Sequence, residues 1–357
     1  MMKSVVLAMS GGVDSTAAAV ALLEEGCRVV GVTFRLWEDM SAGETAPPRC
    51  SPAAVERAAG AAASLGIEHQ VVDLRERFLS LVVEPFAREY LRGRTPNPCV
   101  ECNRWVKFPT LLEVADALGV DLIATGHYAR VCLGDGGKFS LARAGHKAKD
   151  QSYALYRLGQ EVLSRCVFPN QNVDKEEARR RASSAGLRAG RGDESQEICF
   201  LCGADYRSFL SRRHPEAMVP GPLLDTSGRK LGEHGGVALY TIGQRRGLGV
   251  SATHPLYVVG IDPARRAVVL GTRDEVPGSW LRAEDAHWVG GDRPGEEVEA
   301  EAMARYNVAP KPCRARLEED GFELAFAERV WALTPGQHAV LYRGEVVLGG
   351  GVIAEAR

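Results

Sequence analysis

No apolar run in this 357-residue chain reaches the roughly 20 residues needed to span a bilayer, so no membrane segment is expected. The opening Met1-Met2-Lys3-Ser4-Val5-Val6-Leu7-Ala8 is too short for a secretory leader, because Ser10-Gly11-Gly12-Val13-Asp14 interrupts it. A cytoplasmic location is expected. Strong net charge is also missing: 44 Lys+Arg against 46 Asp+Glu leave -2, which excludes a generic polyanion binder. Long internal repeats and low-complexity linkers are absent. The first glycine-rich loop has neither the Gly-Lys-Ser/Thr ending of a P-loop NTPase nor the pattern G-x-G-x-x-G.

What is present is an ordinary globular composition, 45% hydrophobic and 25% charged. The length exceeds one ordinary core and implies two or three domains. Charge is uneven. Pro277 to Arg357 holds 9 Lys+Arg against 14 Asp+Glu, and the rest of the chain 35 against 32. Broad RNA contact is therefore expected in the first three quarters. Nine cysteines in a cytosolic chain suggest redox, metal or nucleophile chemistry rather than a disulfide scaffold. Cys27, Cys132 and Cys166 sit among apolar neighbours and read as small core residues; Cys50 and Cys313 carry no signal.

The first 130 residues alternate strand and helix patterns. Strands are expected at Lys3–Met9, Arg28–Leu36, Glu68–Leu74 and Asp121–Thr125. Helices are expected at Ser15–Glu25, Pro52–Leu65 (Ser51 as N-cap), Glu76–Leu91, Trp105–Leu118 and, further on, Lys175–Ala185. Such alternation implies a doubly wound parallel sheet with ligands beyond the C-terminal strand ends. After about Tyr206 short β-rich runs take over, among them Val237–Thr241, Leu256–Ile261 and Ala267–Leu270. From Pro277 short strands such as His338–Tyr342 and Glu345–Leu348 suggest a small β-barrel or sandwich. The expected organisation is an N-terminal α/β domain (1–206), a small mixed α/β central domain (207–276) and a C-terminal β-barrel (277–357).

Ser10-Gly11-Gly12-Val13-Asp14-Ser15 lies between the first strand and helix. Two glycines allow a tight turn that brings backbone N–H groups to an anion, and the helix N-terminus adds partial positive charge. Ser10 and Ser15 supply hydroxyls. Asp14 becomes useful beside phosphate through a bridging Mg²⁺. An ordinary Gly-rich turn is the bland alternative. The string resembles the PP-loop of ATP pyrophosphatases, which cleave ATP between the α and β phosphates and convert a carbonyl oxygen into a leaving group.

Two Cys-x-x-Cys pairs follow: Cys99/Cys102, in a Pro-interrupted loop expected before a helix, and Cys199/Cys202. A thiolate near a helix N-terminus is expected to have a lowered pKa. The pairs admit a structural zinc site, a persulfide with a resolving thiol, or an iron–sulfur cluster held by Cys99, Cys102 and Cys199.

The chain resembles the bacterial tRNA-specific 2-thiouridylase family over essentially its whole length. The motifs are Ser-Gly-Gly-Val-Asp-Ser at 10–15, Thr-Pro-Asn-Pro at 95–98, Cys102-Asn103, Lys107-Phe108 and Ala-Thr-Gly-His-Tyr at 124–128. Lys149-Asp150-Gln151-Ser152-Tyr153, Ile198-Cys199-Phe200, the run Thr241–Gly249, Arg305-Tyr306 and Thr334-Pro335-Gly336-Gln337 complete them. The resemblance implies ATP binding, with Mg²⁺, by Ala8, Met9, Ser10, Gly11, Gly12, Val13, Asp14, Ser15, Phe34 and Gly126. It implies Cys102 as nucleophile, Cys199 as persulfide carrier and Asn97, Pro98 and Cys99 as the target-base pocket. Contacts to tRNA would come from His127, Lys149, Asp150, Gln151, Arg305, Tyr306 and Gln337. The substrate would be the wobble uridine in the anticodon loops of tRNAs for lysine, glutamate and glutamine, with a cysteine desulfurase or sulfur-relay protein as donor. Family members vary between Asp and Cys at position 99, so Cys99 keeps a [4Fe-4S] route open beside the persulfide route. Gln196-Glu197 departs from the Thr-Gly common in the family, and Cys202 has no family role.

Basic residues cluster at Arg92/Arg94/Arg104/Lys107, Lys147/Lys149, Arg179–Arg181, Arg188/Arg191, Arg212-Arg213 and Arg245-Arg246. Arg179–Arg181 reads as a solvated helix face and Arg245-Arg246 as RNA-facing. Tyr306 could stack on a base or be half-buried; His127 could contact ligand or cap a strand end. Competing functions are an amidating or ligating PP-loop synthetase, which needs no paired cysteines, and a zinc-stabilised RNA-binding protein, which leaves the ATP loop without a purpose.

Overall fold

The structure, a computed structural model, describes residues 2–38, 52–186, 198–201 and 203–357. Cys50, Ser51, Arg188, Arg191, Gln196, Glu197 and Cys202 lie outside the described residues.

Along the chain the first unit runs β1 (Ser4–Ala8), α1 (Val13–Glu24), β2 (Arg28–Arg35), α2 (Pro52–Ser64), β3 (Glu68–Asp73), α3 (Arg75–Phe78) and α4 (Glu84–Leu91). It continues with α5 (Pro98–Cys102), α6 (Phe108–Ala117), β4 (Leu122–Thr125), β5 (Ala129–Leu133), β6 (Phe139–Arg143), α7 (Gln160–Arg165), β7 (Cys166–Val167) and α8 (Lys175–Ser184). Strands β3-β2-β1-β4-β7, in that order, form one parallel sheet. β1 is apolar throughout its middle because both faces are covered. Val5 and Leu7 pack with the small side chains of Ala18, Ala19, Ala58 and Ala62 on α1 and α2. Val6 points the other way, onto Phe108 and Leu111 of α6. Order reverses between β1 and β4, so the loops after these two strands flank the switch point, where such sheets bind ligands.

The helix expected from Trp105 begins earlier. Pro98 opens α5 with Asn97 as cap, its side chain accepting from the Cys99 N–H at 3.1 Å. Proline at the first turn loses no intrahelical bond. A π turn over Asn103–Lys107, in which the Phe108 N–H reaches back to the Asn103 carbonyl, joins α5 to α6. Pro109 has no N–H for the Trp105 carbonyl; the Arg77 Nε donates there instead, at 3.1 Å. The cysteine pair therefore stands on a helix, not in a loop.

The second unit opens with α9 (Tyr206–Arg213), which packs back on the first: Tyr206 stacks on Tyr90 at 4.5 Å. β8 (Gly221–Asp225), β9 (Lys230–His234), β10 (Tyr257–Asp262) and β11 (Ala267–Gly271) form a sheet in the order β10-β11-β8-β9. Val237–Thr241, expected as extended, instead begins with a 3₁₀ turn at Val237–Leu239, entered through Gly236 at φ +156°.

The last unit is β12 (Gly278–Trp288), β13 (Glu297–Met303), β14 (Lys311–Leu317), β15 (Gly321–Val330), β16 (His338–Arg343) and β17 (Val346–Ala356). β12 pairs with both β15 and β17, closing a six-stranded antiparallel barrel around Leu281, Phe322, Leu324 and Ile353. The β5–β6 hairpin of the first unit docks on β17, Ala142 opposite Val346. Cys166 and Cys313 are buried, but Cys132 is exposed, because β5 is the outermost strand of this sheet. No helix among the described residues is long and apolar enough to cross a membrane.

Candidate active site

The loop after β1 is shaped by what cannot fit beside it. Gly11 has φ +69°, and a Cβ there would lie 2.8 Å from the Ala54 carbonyl and the Ala58 N–H on α2. Gly12 caps α1. The Ser15 hydroxyl donates to the Gly12 carbonyl at 3.1 Å and accepts the Ser10 N–H at 3.2 Å, so the loop is closed on itself. Thr33 Oγ1 donates to the Met9 carbonyl at 2.7 Å; its one proton is thus committed, and His69 Nε2, 2.8 Å away, must donate to it. Phe34 is half-buried at the end of β2. Across the switch point Gly126 lies against the loop: a Cβ there would come within 2.8 Å of the Asp14 carbonyl and the Ser15 nitrogen. One Asp14 carboxylate oxygen accepts the Tyr128 hydroxyl at 2.6 Å, a charge-assisted bond. The other is a natural ligand for a divalent cation beside bound phosphates.

Cys102 is buried and Cys99 accessible, one turn apart on α5; Cys199, half-buried, starts a 3₁₀ turn that packs on the same aromatic cluster as Cys102. The three thiols are near enough to influence one another's ionisation. Their acidity corrects the sequence expectation. Burial pushes Cys102 up to about 12 and Cys99, crowded by protein despite its accessible surface, up to about 11. The charge of Lys107 opposes burial at both without overcoming it. All three cysteines are described, yet no three His, Cys, Asp or Glu side chains among the described residues converge as metal ligands.

Asn97 and Pro98 are locked from behind. Thr95 N–H donates to the Pro335 carbonyl at 2.8 Å, Thr95 Oγ1 to Thr241 Oγ1 at 3.3 Å, and the Gln337 amide to the Thr95 carbonyl at 2.8 Å. All three units thus meet at this segment. Gln337 and Asp150, expected to contact tRNA, are both buried. Asp150 accepts from the Ala144 and Ser152 N–H groups and from Ser152 Oγ, and pairs with Arg143 at 3.2 Å. These two residues hold the site from inside. Burial lowers His127 to about 3; its Nδ1 bonds Thr125 Oγ1 at 2.8 Å and its ring stacks on Phe108. Lys149 lies over the Tyr128 ring, and Tyr306 beside Tyr153, Gln151 and Cys99. Arg305 is near Tyr90 and Tyr153. Arg245 and Arg246 are exposed on a loop pinned by Gln244. Arg180 and Arg181, by contrast, pair with Glu177 of their own helix.

Asn170 went unread in the sequence, and two motif residues, Lys107 and Asn103, take parts that the motifs did not announce. Lys107 stands five residues after Cys102, a spacing that the π turn makes meaningful. Asn170, fully buried, donates to the carbonyls of both Asp14 and Gly126. Asn103 ties the thiol helix to the Ala154 carbonyl at 3.0 Å.

Known proteins resemble the chain over almost its whole length. Residues 3–203 match the family described as tRNA methyl transferase HUP domain, 207–272 its PRC-barrel domain, and 279–353 the aminomethyltransferase beta-barrel domain. The tRNA-specific 2-thiouridylase MnmA of Chloroflexus aurantiacus is 46% identical over 354 residues, 99% of each chain. That of Carboxydothermus hydrogenoformans is 46% identical over 355 residues, 98% of this chain and 97% of its own. Among solved structures, a 4-thiouridine synthetase–RNA complex with bound ATP overlaps 60% of this chain and 51% of its own, at 18% identity and a TM-score of 0.36. With near-complete coverage by such relatives, the chain belongs to the tRNA-specific 2-thiouridylase family.

Proposed function

We propose that the chain makes 2-thiouridine in tRNA, activating the wobble uridine of the tRNAs for lysine, glutamate and glutamine with ATP. The observation that carries this is the gathering of Cys102 and Cys199 in one cluster beside the sheet whose switch point carries the nucleotide loop. The uridine 2-oxygen attacks the α-phosphorus and diphosphate leaves, giving an O-adenylated base. Loop N–H groups, the α1 N-terminus and Mg²⁺ on Asp14 would offset the phosphate charge. The outer sulfur of a Cys199 persulfide attacks the activated carbon and expels AMP. Cys102 then attacks the inner sulfur, so that a Cys102–Cys199 disulfide forms and the sulfur stays on the base. A thiol reductant must reopen the disulfide, and a cysteine desulfurase or relay protein reload Cys199. The raised pKa of Cys102 suits this order: burial keeps its sulfur protonated in the free protein.

The test is pyrophosphate release from ATP on adding unmodified tRNA, with sulfur incorporation followed by mass. Release together with loss of thiolation in Cys102→Ser and Cys199→Ser is expected. Intact turnover in both variants would point to an amidating synthetase; no release at all, to a binding protein.

A further inference from the structure

We propose that Tyr128 is a positioning residue that couples occupancy of the RNA-facing cleft to the nucleotide loop. This rests on the functional reading above and deepens it. Tyr128 is buried, with its ring packed among Ala17, Ala144, Val173 and Ala178. Its hydroxyl holds an Asp14 carboxylate oxygen at 2.6 Å. Its backbone is gripped in both directions by one residue: Tyr128 N–H donates to Gln151 Oε1 at 3.1 Å, and Gln151 N–H donates to the Tyr128 carbonyl at 2.8 Å. The Gln151 side chain also stands beside the phenol of Tyr306, which neighbours Cys99.

A contiguous polar path therefore runs from Cys99 and Tyr306, through Gln151 and Tyr128, to Asp14. A rigid ring between two fixed ends acts as a lever: a shift of Gln151 moves the hydroxyl that sets the Asp14 rotamer. The Asp14 backbone cannot follow, because Asn170 ties its carbonyl to that of Gly126, at 2.8 and 3.0 Å. Motion entering at the RNA side is thus delivered to the carboxylate. The ligand sensed at the far end is the divalent cation that accompanies ATP.

Coupling is a ratio of affinities and is reciprocal, so it can be measured without turnover. The dissociation constant of Mg²⁺–α,β-methylene-ATP is measured with and without unmodified tRNA, in the full chain and in Tyr128→Phe, which keeps the ring and removes only the hydroxyl. In the unaltered protein tRNA should tighten the nucleotide about tenfold. In Tyr128→Phe the ratio should fall to within about twofold of one, with tRNA affinity little changed. Without RNA, the Mg²⁺ concentration for half-saturation should rise about fivefold in the variant, reporting the freed carboxylate. An unchanged ratio in Tyr128→Phe, or a ratio of one in the unaltered protein, overturns the proposal. If the unaltered protein releases pyrophosphate on tRNA addition but the variant couples normally, only this inference fails. Absence of release defeats the functional reading itself, and the Mg²⁺ titration still decides the role of Tyr128.

Discussion

The side-chain amide of Gln337, at the entrance to barrel strand β16, donates to the carbonyl of Thr95 at 2.8 Å and lies 3.3 Å from that of Pro96. Neighbouring Gly336, at φ +90°, would place a Cβ 2.8 Å from the Thr95 nitrogen. A barrel residue thus sets the cap of the thiol helix. Gln337→Ala leaves a buried carbonyl without its donor, which costs about 1–3 kcal/mol. Chemical denaturation should show that loss. Thiolation kcat should fall with the KM for ATP unchanged, since the nucleotide loop is not touched.

The parallel sheet was legible because its strands are buried on both faces and so read as apolar runs; β1, β2, β3 and β4 fall within two residues of expectation. Other parts depend on what packs from far away. The β5–β6 hairpin docks on β17, some 200 residues later, and local pattern did not single it out. Val237–Thr241 has strand-like residues, but Gly235-Gly236 before it turns the chain. The thiols were expected to be acidic from their nearness to a helix start. Nothing in Pro98-Cys99-Val100-Glu101-Cys102 announces that aromatic residues from α3, α4 and α9 bury the second sulfur. Gln337 and Asp150 were expected to contact tRNA; that both are buried is a tertiary fact that the local sequence does not announce.

Thiol reactivity should follow burial. Each unit of raised pKa removes about tenfold of the thiolate near neutral pH. Iodoacetamide labelling, read by mass spectrometry, should therefore modify exposed Cys132 first, Cys99 more slowly and Cys102 last. Lys107→Met removes the opposing positive charge and should slow Cys99 and Cys102 further while leaving Cys132 unchanged. Rapid labelling of Cys102 in the free protein would contradict its burial.

His127 supplies a pH test. Its folded pKa, about 3, is below the ordinary 6.5. Between these values the unfolded chain binds a proton that the native chain does not, so stability falls as pH drops below 6.5 and is unaffected by this group above it. His338, fully enclosed and lowered for the same reason, adds in the same direction. From about pH 6.5 to 5 carboxylates remain ionised and histidines dominate. Urea midpoints across that window should decline, and His127→Gln should flatten part of the decline. An identical slope in the variant would show that His127 is protonated in the folded chain.

Gly126→Ala inserts a methyl group 2.8 Å from three backbone atoms of Asp14 and Ser15, none of which can rotate away. Overpacking of this kind costs about 1–3 kcal/mol. The loop must shift, and nucleotide affinity should drop at least tenfold while tRNA affinity holds. Calorimetric titration with an uncleavable ATP analogue measures the first, and filter binding the second.

The last prediction separates two sulfur carriers. Cys99, Cys102 and Cys199 are electrostatic neighbours that, among the described residues, do not converge as metal ligands, whereas Cys102 and Cys199 pack on one cluster, as a persulfide and its resolving thiol must. Protein purified without oxygen should hold no stoichiometric iron and still thiolate tRNA when supplied with a persulfide donor. Cys99→Ala should keep most of that activity, because Cys99 takes no part in the disulfide step; Cys102→Ser and Cys199→Ser should lose it. A trapped Cys102–Cys199 disulfide after a single turnover, seen by peptide mapping without reductant, would be direct support. Stoichiometric iron whose loss in Cys99→Ala abolishes thiolation would show that the three thiols close around a cluster, and that α5 or the Cys199 turn moves to let them.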